Sequence, residues 1–397
     1  MKFAIDSKAF QSVTERAAVC AVKANNCLPI FNCVCIRAEQ SPDRLTVVAG
    51  DGNTFAELSY TEQSPNGVFF SVQEPGVAFV GMEDLKRLYQ AKGELTVLAT
   101  DTLHGSKFSV ASDKKKCEVK SYRFDTVLEY PAPSGEEILR ADQKELTETF
   151  RRLSCCLQTD QGYHYDIYRG FNLDGANKRI VSLDGGRLGL RSVDWFNDHF
   201  LSSAVVSGNA CAKLSSIIGK QDGETVLLTD GKYGFFVGAD YTVATKLIPG
   251  KFMDIDFILK TNYPMYVIEV KLSDLCAPAK EYHSITKKSP MSFFWKNGRL
   301  STVMKTDSYS TLDFIPLLDV SGDYQPDGYI ASFNSRNIKE LKEIFPDGII
   351  SIAMPENQPP HKTNFIVANE DGYLCLILPV KVQPEILEGI TEFAQSA

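Results

Sequence analysis

The sequence of 397 residues predicts an α+β protein made of three copies of one unit, each with two helices packed on antiparallel sheets. Two recurring features support this fold class. Each copy opens with a short strand and an amphipathic helix, and each contains a second strand–helix pair farther along. The second pairs keep a nearly constant spacing, with 126 residues from Gly81 to Ser207 and 127 from Ser207 to Asn334. A chain of this length is also too long for one ordinary core.

The three openings share one hydrophobic pattern. Residues 2–6 alternate like a strand, and the helix expected over 7–23 has Phe10, Val13 and Ala17 on one face. The other two openings are expected at 137–140 with a helix from about Asp142, and at 266–270 with a helix from about Ser273 that has Pro278 near its first turn. The second strand–helix pairs are expected at 77–80 with 82–91, at 204–206 with 208–219, and at 329–333 with 335–345.

Each copy also contains a turn with an aspartate, namely Asp51, Asp184 and Asp307. Aspartate is a common turn former, so we expect a turn-forming role rather than a composite catalytic site. Proline-containing stretches at 130–134 and 261–264 mark the expected joints between copies. The predicted domains are residues 1–127, 128–260 and 261–382, followed by a C-terminal extension of 383–397.

Composition and motifs exclude several classes of function. No stretch approaches the roughly 20 apolar residues of a membrane span, and the N-terminus lacks the apolar core of a signal peptide, so we expect a cytoplasmic protein without membrane contact. The ten cysteines form no CxxC pair and no zinc spacing, which indicates reduced, mostly buried thiols and no metal or cofactor. Phosphate-binding, hydrolase and metalloprotease motifs are absent and the five histidines are dispersed, so we expect no catalytic residues and no enzyme activity.

The net charge of −8 disfavours a protein that grips nucleic acid tightly. The predicted helices nevertheless carry lysines and arginines, mostly off their apolar faces or at their ends. For any single residue a solvated helix face is the simpler interpretation. Because the pattern recurs in equivalent helices, a shared and weakly basic surface is the alternative, suited to a loose, sequence-independent contact with phosphates.

Five segments in order resemble the bacterial sliding clamp, the beta subunit of DNA polymerase III. They are the opening Met-Lys-Phe-Ala-Ile-Asp, Cys-Leu-Pro-Ile-Phe-Asn at 27–32, Ser-Leu-Asp-Gly-Gly-Arg-Leu-Gly-Leu at 182–190, Leu-Ile-Pro-Gly-Lys-Phe-Met-Asp at 247–254, and Leu-Ile-Leu-Pro-Val-Lys-Val at 376–382. The resemblance runs from residue 1 to about 382. It implies three DNA-clamp domains per chain and a head-to-tail homodimer whose six domains close a ring around duplex DNA, with sheets outside and helices lining the hole.

The function implied by the resemblance is that of a processivity factor for DNA replication. Such a clamp tethers the polymerase catalytic subunit, the clamp loader and other proteins with clamp-binding motifs through a hydrophobic peptide pocket. A head-to-tail contact that closes after two subunits is a heterologous interface that forms a ring. A clamp-derived scaffold that is not loaded on DNA, as in a phage or mobile element, stays open as an alternative.

The resemblance also assigns residues to three sites. The peptide pocket is expected at Tyr168, Leu183, Gly185, Gly186, Arg187, Leu188, Met253, Phe257, Ile258, Leu376, Leu378, Pro379, Val380 and Lys381. DNA contacts are expected at Lys23, Asn25, Lys86, Arg87, Arg151, Arg152, Lys213, Lys220, Lys339 and Lys342. The subunit interface is expected at Lys114, Lys116, Cys117, Ile285 and Asp313.

Several of these assignments have open alternatives. Leu188, Ile258 and Leu376 fit an ordinary core equally well. Arg187 or backbone groups are candidates to fix the polarity of a bound peptide. The pocket departs from the family at Gly186 and Met253, which replace a histidine and a proline, and valine follows Pro379 where the family has methionine, so we expect an apolar pocket of altered shape.

Two further segments carry expectations. The lysines at 114–116 align with a charged edge strand that meets the neighbouring subunit, although lysines on a free edge also discourage promiscuous pairing. The extension 383–397 has helical spacing of its apolar residues and leaves from the rim of the pocket. The spacing predicts a short amphipathic helix. A surface-packed or disordered tail is the simpler interpretation, and the alternative hypothesis is that the helix packs beside the pocket or partly covers it.

Overall fold

A computed structural model describes residues 1–22, 27–64, 69–102, 105–124, 128–159, 165–219, 221–259, 265–285, 290–322, 329–345, 348–355, 365–368 and 372–396. The chain forms two compact units. Unit 1 consists of Met1–Thr147, Trp195–Phe200 and Asn209–Leu247, and unit 2 consists of Glu148–Asp194, Leu201–Gly208 and Ile248–Ala397.

The described helices are α1 (Ser7–Ala18), α2 (Met82–Leu88), α3 (Gln143–Leu153), α4 (Gly208–Ile218), α5 (Ile255–Leu259), α6 (Leu272–Ile285), α7 (Ser335–Lys339), α8 (Leu341–Ile344) and α9 (Pro384–Ser396). Short 3-10 turns occupy Pro29–Asn32, Ser154–Cys156 and Asp166–Arg169.

The described strands fall into three groups along the chain. The first group is β1 (Lys2–Asp6), β2 (Cys33–Glu39), β3 (Arg44–Gly50), β4 (Thr54–Tyr60), β5 (Phe70–Glu74), β6 (Gly76–Gly81), β7 (Glu94–Thr102), β8 (Gly105–Ala111) and β9 (Lys116–Tyr122). The second is β10 (Glu136–Asp142), β11 (Gly170–Asp174), β12 (Arg179–Leu183), β13 (Arg187–Ser192), β14 (Ser203–Ser207), β15 (Glu224–Thr229), β16 (Tyr233–Val237) and β17 (Tyr241–Lys246). The third is β18 (Met265–Lys271), β19 (Pro290–Lys296), β20 (Arg299–Lys305), β21 (Ser310–Ile315), β22 (Leu317–Ser321), β23 (Tyr329–Asn334), β24 (Ile349–Pro355), β25 (Phe365–Ala368) and β26 (Tyr373–Ile377).

The same order of elements occurs three times, as the repeat in the sequence predicts. Each copy runs from one strand into a helix, through a group of strands into a second helix, and ends on three strands. All described strand pairs are antiparallel. The predicted α+β class with three repeated units, each with two helices on antiparallel sheets, is therefore confirmed.

Unit 1 contains one sheet of 13 strands in the order β10, β15, β16, β17, β4, β3, β2, β6, β9, β8, β7, β1, β5. The sheet joins strands from the first and second copies, because β17 pairs with β4 from Tyr241 opposite Leu58 to Thr245 opposite Thr54. Helix α1 packs on β3 and β4 through Phe10, Val13 and other buried residues.

Unit 2 contains two sheets. The larger has nine strands in the order β14, β11, β12, β13, β26, β25, β24, β18, β22, and the smaller has four in the order β21, β20, β19, β23. The larger sheet joins the second and third copies, because β13 pairs with β26 from Arg187 opposite Ile377 to Arg191 opposite Tyr373. The two compact units thus group the strands differently from the predicted domain boundaries, which remain a prediction, and the expected joint at 261–264 lies outside the described residues.

Local chemistry explains where several helices begin. Asp6 caps α1 by accepting hydrogen bonds from the backbone amides of Lys8 and Ala9 at 2.8 and 3.3 Å. Asp142 caps α3 in the same way, through the amides at positions 144 and 145. A capping carboxylate satisfies amides that have no partner inside the helix, so equivalent aspartates start equivalent helices.

Three expected helices differ from the structure. Helix α1 ends at Ala18, well before the expected end at residue 23. Pro278 lies in the interior of α6 rather than near its first turn. The helix expected over 335–345 is two short helices, α7 and α8, with Glu340 between them. None of the described helices is both long and apolar enough to cross a membrane.

Candidate functional site

Six of the fourteen predicted pocket residues, Tyr168, Leu183, Leu188, Ile258, Leu376 and Leu378, belong to one apolar cluster within unit 2. Its buried members are Ile167, Val181, Leu183, Leu188, Leu190, Val205, Phe252, Ile255 and Leu376, and partly buried residues packed on it are Tyr168, Ile248, Ile258, Leu259, Leu374 and Leu378. Leu188 and Leu376 are 1% and 2% exposed, so these two form the floor of the cluster. Tyr168, Ile258 and Leu378 are partly exposed and form its accessible surface.

The segment after β26 forms one rim of this surface. The backbone amide of Leu378 donates to the carbonyl of Gly186 at 2.8 Å, and that of Val380 donates to Ser332 at 2.8 Å. These bonds hold Pro379 between two fixed points. Lys381 is exposed at the end of the segment. The structure thus brings the predicted residues at 185–188 and 376–381 together.

Helix α5 and the residues just before it form another rim beside the cluster and present large apolar side chains to solvent. Phe257 is 83% exposed and Met253 is 45% exposed. Asp254 caps the helix through the amides of Asp256 and Phe257, at 3.0 and 3.2 Å. Large exposed apolar residues beside a buried cluster are typical of a surface that another molecule covers.

An ion-pair network fixes α5 to the sheet. Arg179 of β12 contacts Asp174 through Nε and Asp256 through Nη1, each at 2.8 Å. The Arg179 side chain is 10% exposed. A buried guanidinium needs its partners, because an unpaired buried charge is strongly destabilising. Arg179 is therefore a positioning residue for the rim, and sequence reasoning missed it because its partner on α5 is 77 residues away.

Arg187 is buried rather than available at the surface. Its guanidinium contacts Asp184 at 2.9 Å and Glu340 at 2.8 Å, donates to the carbonyl of Cys155, and is 3% exposed. Burial raises the pKa of Glu340, but hydrogen bonds from Arg336 and Arg187 lower it more, so the net shift is downward. The geometry favours a role for Arg187 in fixing the turn under the rim.

The repeated aspartates form turns, as expected for two of the three. Asp51 Oδ1 accepts from the amides of Asn53 and Thr54 at 2.9 and 2.7 Å. Asp184 Oδ1 accepts in the same way from the amides of Gly186 and Arg187, both at 2.9 Å. In the third copy the turn belongs to Thr306, whose hydroxyl accepts from the amide of Tyr309 at 3.0 Å. Asp307 lies within this turn, as expected, but the side chain that closes the turn is that of the preceding residue, Thr306.

These turns also establish which residues of the three copies are equivalent. The amide of Asp51 donates to the carbonyl of Thr54 at 3.0 Å, and Asp184 and Arg187 make the same bond at 3.2 Å. The equivalent bond joins Thr306 to Tyr309 at 2.7 Å. Each turn directly precedes a strand, β4, β13 or β21.

Lys213, one of the expected DNA contacts, is already paired. Its Nζ lies 2.5 Å from Asp51 Oδ2, and the two side chains are 14% and 18% exposed. Burial raises the pKa of Asp51, but hydrogen bonds from Lys213 and from two backbone amides lower it further, so the net shift is downward. The charge of Lys213 is thus largely neutralised inside unit 1.

The other expected DNA contacts lie on helices, and several have acidic neighbours. On α3, Arg151 and Arg152 share Glu148 at 2.7 and 2.8 Å. The hydrogen bond from Arg151, supported by that from Arg152 and opposed by burial, lowers the pKa of Glu148 to about 2. Elsewhere Lys86 and Arg87 are exposed on α2, Lys339 is half-buried on α7, and Lys342 is exposed on α8. Lys23, Asn25 and Lys220 lie outside the described residues.

The expected interface residues lie on two strands with an unpaired side and at one helix end. Strand β9 pairs with β8 along its length but with β6 only at Ser121 and Tyr122, which leaves the half containing Lys116 and Cys117 open on one side among the described strands. Strand β21 is the last in its sheet and carries Asp313. Lys114 is exposed before β9, and Ile285 is 45% exposed at the end of α6.

The C-terminal extension forms the expected amphipathic helix, α9, but in a different place. Its residues Ile390 and Ala394 are buried against Phe294 and Val303 of the four-stranded sheet. The helix shares no residue with the pocket cluster. The hypothesis that the extension packs beside or over the pocket is therefore wrong, and the structure agrees with the simpler interpretation of a surface-packed tail.

None of the ten cysteines forms a disulfide, and seven are buried. Burial raises the pKa of Cys20 to about 12 and that of Cys35 to about 11, with small opposing effects of nearby cations. A raised pKa leaves little thiolate at neutral pH, so such thiols are inert. Within the described residues, no three histidine, cysteine or acidic side chains are grouped to hold a metal.

Solved structures with the same fold identify the architecture. A sliding clamp of Bacillus subtilis matches with a TM-score of 0.84 and 13% identity over 96% of this chain and 100% of the other. This is the sliding-clamp fold. The DNA polymerase III beta chain of Streptococcus pneumoniae matches with a TM-score of 0.82 and 16% identity, and the clamp of Pseudomonas aeruginosa bound to griselimycin with 0.78 and 16%, both over the same shares of the chains. No protein-family model and no curated protein matches the chain.

The sliding-clamp fold confirms the resemblance predicted from the sequence at the level of the architecture. Identities of 13–16% fit a strongly diverged chain. Sequence reasoning missed several buried members of the pocket cluster. Ile167 lies in a 3-10 turn, Val205 in β14, Phe252 before α5 and Ile255 at the start of α5. Their apolar character was visible in the sequence, but their convergence depends on how β11–β14 and α5 pack.

Proposed function

We propose that this chain is a sliding clamp for DNA replication: two copies close head to tail into a ring around duplex DNA, and a pocket on unit 2 tethers the polymerase, the clamp loader and other proteins. The observation that carries the proposal is the sliding-clamp fold, with two internal strand pairs whose third equivalent does not occur among the described strands of one chain. It assigns no catalysis to the chain, because ring closure and tethering require none.

The two internal pairs follow one rule. β4 pairs with β17, and β13 pairs with β26. Thr54 and Arg187, which close the equivalent turns, face Thr245 and Ile377 respectively. Strands β4 and β13 are equivalent to β21 in the third repeat, and strands β17 and β26 are equivalent to β9 in the first. A third pair of this kind therefore needs β21 of one molecule and β9 of another.

The register of that third pair follows from the turns that precede the strands. Ser112 and Lys115 close the turn before β9 at 2.8 Å, as Gly238 and Tyr241 close the turn before β17 at 2.9 Å. Positions in β17 are therefore 126 residues after their equivalents in β9, and positions in β21 are 255 residues after those in β4. The pairing of each strand with its other neighbour gives the same offsets.

Transferring the register of β4 and β17 aligns three pairs across the subunit contact. Lys115 falls opposite Asp313, Lys116 opposite Leu312, and Cys117 opposite Thr311. The Lys115–Asp313 pair joins opposite charges, which favours pairing of directly opposed residues. Three of the five expected interface residues, Lys116, Cys117 and Asp313, thus lie in one ladder, with Lys114 directly before it. Ile285 remains a separate expectation.

The pocket on unit 2 fits a short peptide with apolar anchors. Phe257 and Met253 are exposed on the segment whose Ile255 and Ile258 pack in the same aliphatic cluster as Leu378. Anchors that fill such a surface supply most of the energy of a peptide contact. The Pseudomonas aeruginosa clamp bound to griselimycin has the same fold, which supports ligand binding by this architecture.

The charges on the helices suit sliding rather than tight binding. Arg87, Arg151 and Arg152 each have a carboxylate within 2.8 Å. Ion-paired cations release few counterions from DNA, so attraction to phosphates is weak. Retention on DNA would then depend on ring closure.

The decisive experiment measures solution mass together with retention on DNA. The protein is loaded on nicked circular DNA with a cognate clamp loader, and the circle is then linearised. We expect a mass near twice 44.1 kDa, with protein held on circles and lost from linear ends. A monomer whose retention ignores linearisation would refute the ring and favour the clamp-derived scaffold.

A further inference from the structure

Helix α9 covers one face of the four-stranded sheet, whose edge strand, β21, enters the proposed subunit contact. Ile390 and Ala394 are buried against Phe294 and Val303, and Leu312 of β21 packs on the same cluster together with Leu387 and Phe393. Tyr282 of α6 lies on the opposite face, where its hydroxyl donates to Asp313 at 2.5 Å. Neighbouring residues of a strand point to opposite faces, so Leu312 and Phe314 belong to the face that α9 covers.

The contacts of α9 leave its acidic side chains unused. Lys305 Nζ donates to the carbonyl of Gly389 at 2.9 Å, and Lys296 Nζ donates to that of Gln395 at 3.1 Å. Both lysines therefore bind the helix backbone. Glu385, Glu388 and Glu392 are exposed and make no ion pair with any residue that the structure describes, and the helix carries no lysine or arginine.

In the register of the proposed contact, two lysines of the second copy lie on the face of the sheet that α9 covers. Directly opposed residues of an antiparallel pair lie on the same face. Leu312 is opposite the partner copy's Lys116, and Phe314 is opposite its Lys114. Both lysines are exposed in the single chain. Since α9 packs directly on Leu312, the Lys116 ammonium of the second copy arrives beside an acidic helix.

We propose that α9 is part of the subunit contact, and that Glu385, Glu388 and Glu392 receive Lys114 and Lys116 of the second copy. The inference rests on the proposed ring and names its occupant as another molecule of this chain. Continuity with the strand contact and opposite charge both support it. Exposed ion pairs contribute modestly one by one, but several at one edge add orientation and specificity.

Charge reversal in two different chains tests the arrangement. The first variant carries Glu385→Lys, Glu388→Lys and Glu392→Lys, and the second carries Lys114→Glu and Lys116→Glu. In a head-to-tail ring each homodimer then has two repulsive contacts, whereas a ring with one copy of each variant has two attractive ones. We expect each variant alone to dimerise at least about tenfold more weakly than the unmodified chain, and an equimolar mixture to recover the dimer as a heterodimer.

Native mass spectrometry of the mixture, with one variant isotopically labelled, counts homodimers and heterodimers. Dominance of the heterodimer, lost in high salt, supports the contact. A statistical mixture, or variants that dimerise like the unmodified chain, overturns it. If a variant unfolds by circular dichroism, the single changes Glu388→Lys and Lys116→Glu make the same comparison. A monomeric unmodified chain would instead refute the ring itself, so the two failures are distinguishable.

Discussion

Replacing Thr311 by cysteine should lock the proposed ring through a native thiol. In the derived register, Thr311 of β21 faces Cys117 of β9 in the second copy. The two internal pairs place a small residue at the equivalent position, with Ala56 opposite Val243 and Gly189 opposite Cys375. A single Thr311→Cys change therefore puts two thiols face to face at each of the two contacts of a ring.

The geometry decides whether a disulfide forms. Directly opposed residues in antiparallel strands have Cα atoms about 4.5–5.5 Å apart, inside the range of about 4.4–6.8 Å that a disulfide tolerates. A slip of two residues separates the pair to roughly 7–8 Å. A slip of one residue sends the two side chains to opposite faces. The cross-link thus reports one register and excludes its neighbours.

Mild oxidation followed by non-reducing denaturing electrophoresis measures the outcome. We expect Thr311→Cys to give a covalent species of about twice 44.1 kDa that reduction reverses. Ser310→Cys, on the other face of β21, is the matched control, and Thr311→Cys combined with Cys117→Ser should give no such species. Equal cross-linking of Ser310→Cys and Thr311→Cys, or cross-linking that survives the loss of Cys117, would refute the register.

Three further predictions concern the pocket, the turn and the DNA surface. Phe257→Ala should weaken binding of an apolar clamp-binding peptide about tenfold in fluorescence anisotropy without lowering the melting temperature, since the side chain is 83% exposed; unchanged affinity would remove α5 from the site. Asp51→Asn should lower the free energy of unfolding by about 1–3 kcal/mol at pH 7. The pKa of Asp51 is lower in the folded state than in the unfolded state. The loss of stability caused by Asp51→Asn should therefore be complete above about pH 3.9 and vanish as the pH falls through the folded-state pKa. A loss of stability that persists in acid would contradict the pairing with Lys213. Glu148→Gln should free Arg151 and its neighbour, so affinity for duplex DNA rises and its salt dependence steepens in titrations at several salt concentrations; an unchanged slope would place these arginines away from DNA.

The repeat and its helices were predictable because their signals are local. Hydrophobic periodicity and constant spacing predicted α1, α2, α4 and α9 from residues a few positions apart. The break between α7 and α8 was not predictable in this way. It coincides with Glu340, whose carboxylate meets Arg187 from the second copy of the repeat. That ion pair joins residues 153 positions apart, and no pattern within one helix indicates it.

The same reasoning explains which parts of the pocket were visible in the sequence. Leu183, Leu376 and Leu378 belong to segments that resemble the family, so their place near the pocket was expected. Arg179 was not, because the Asp256 that it fixes lies in a five-residue helix with too few positions to show a period. The position of α9 depends on which apolar surface it packs on, and both the pocket rim and the four-stranded sheet offer one. Only packing distinguishes them.

If an acidic chain is to stay on DNA, the closed ring must hold it there, because contact with phosphates contributes little. The charge of −8 and the paired arginines leave little net attraction for a polyanion. A ring with two equivalent contacts releases a duplex as soon as one of them opens. The strength of a single contact therefore sets the lifetime of the ring on DNA. Changes at Lys115 or Asp313 should therefore shorten retention on circular DNA and leave the salt dependence of encounter unchanged. Glu148→Gln should steepen the salt dependence of encounter and leave retention on circular DNA unchanged. This separation of effects distinguishes a clamp from a protein that simply binds DNA.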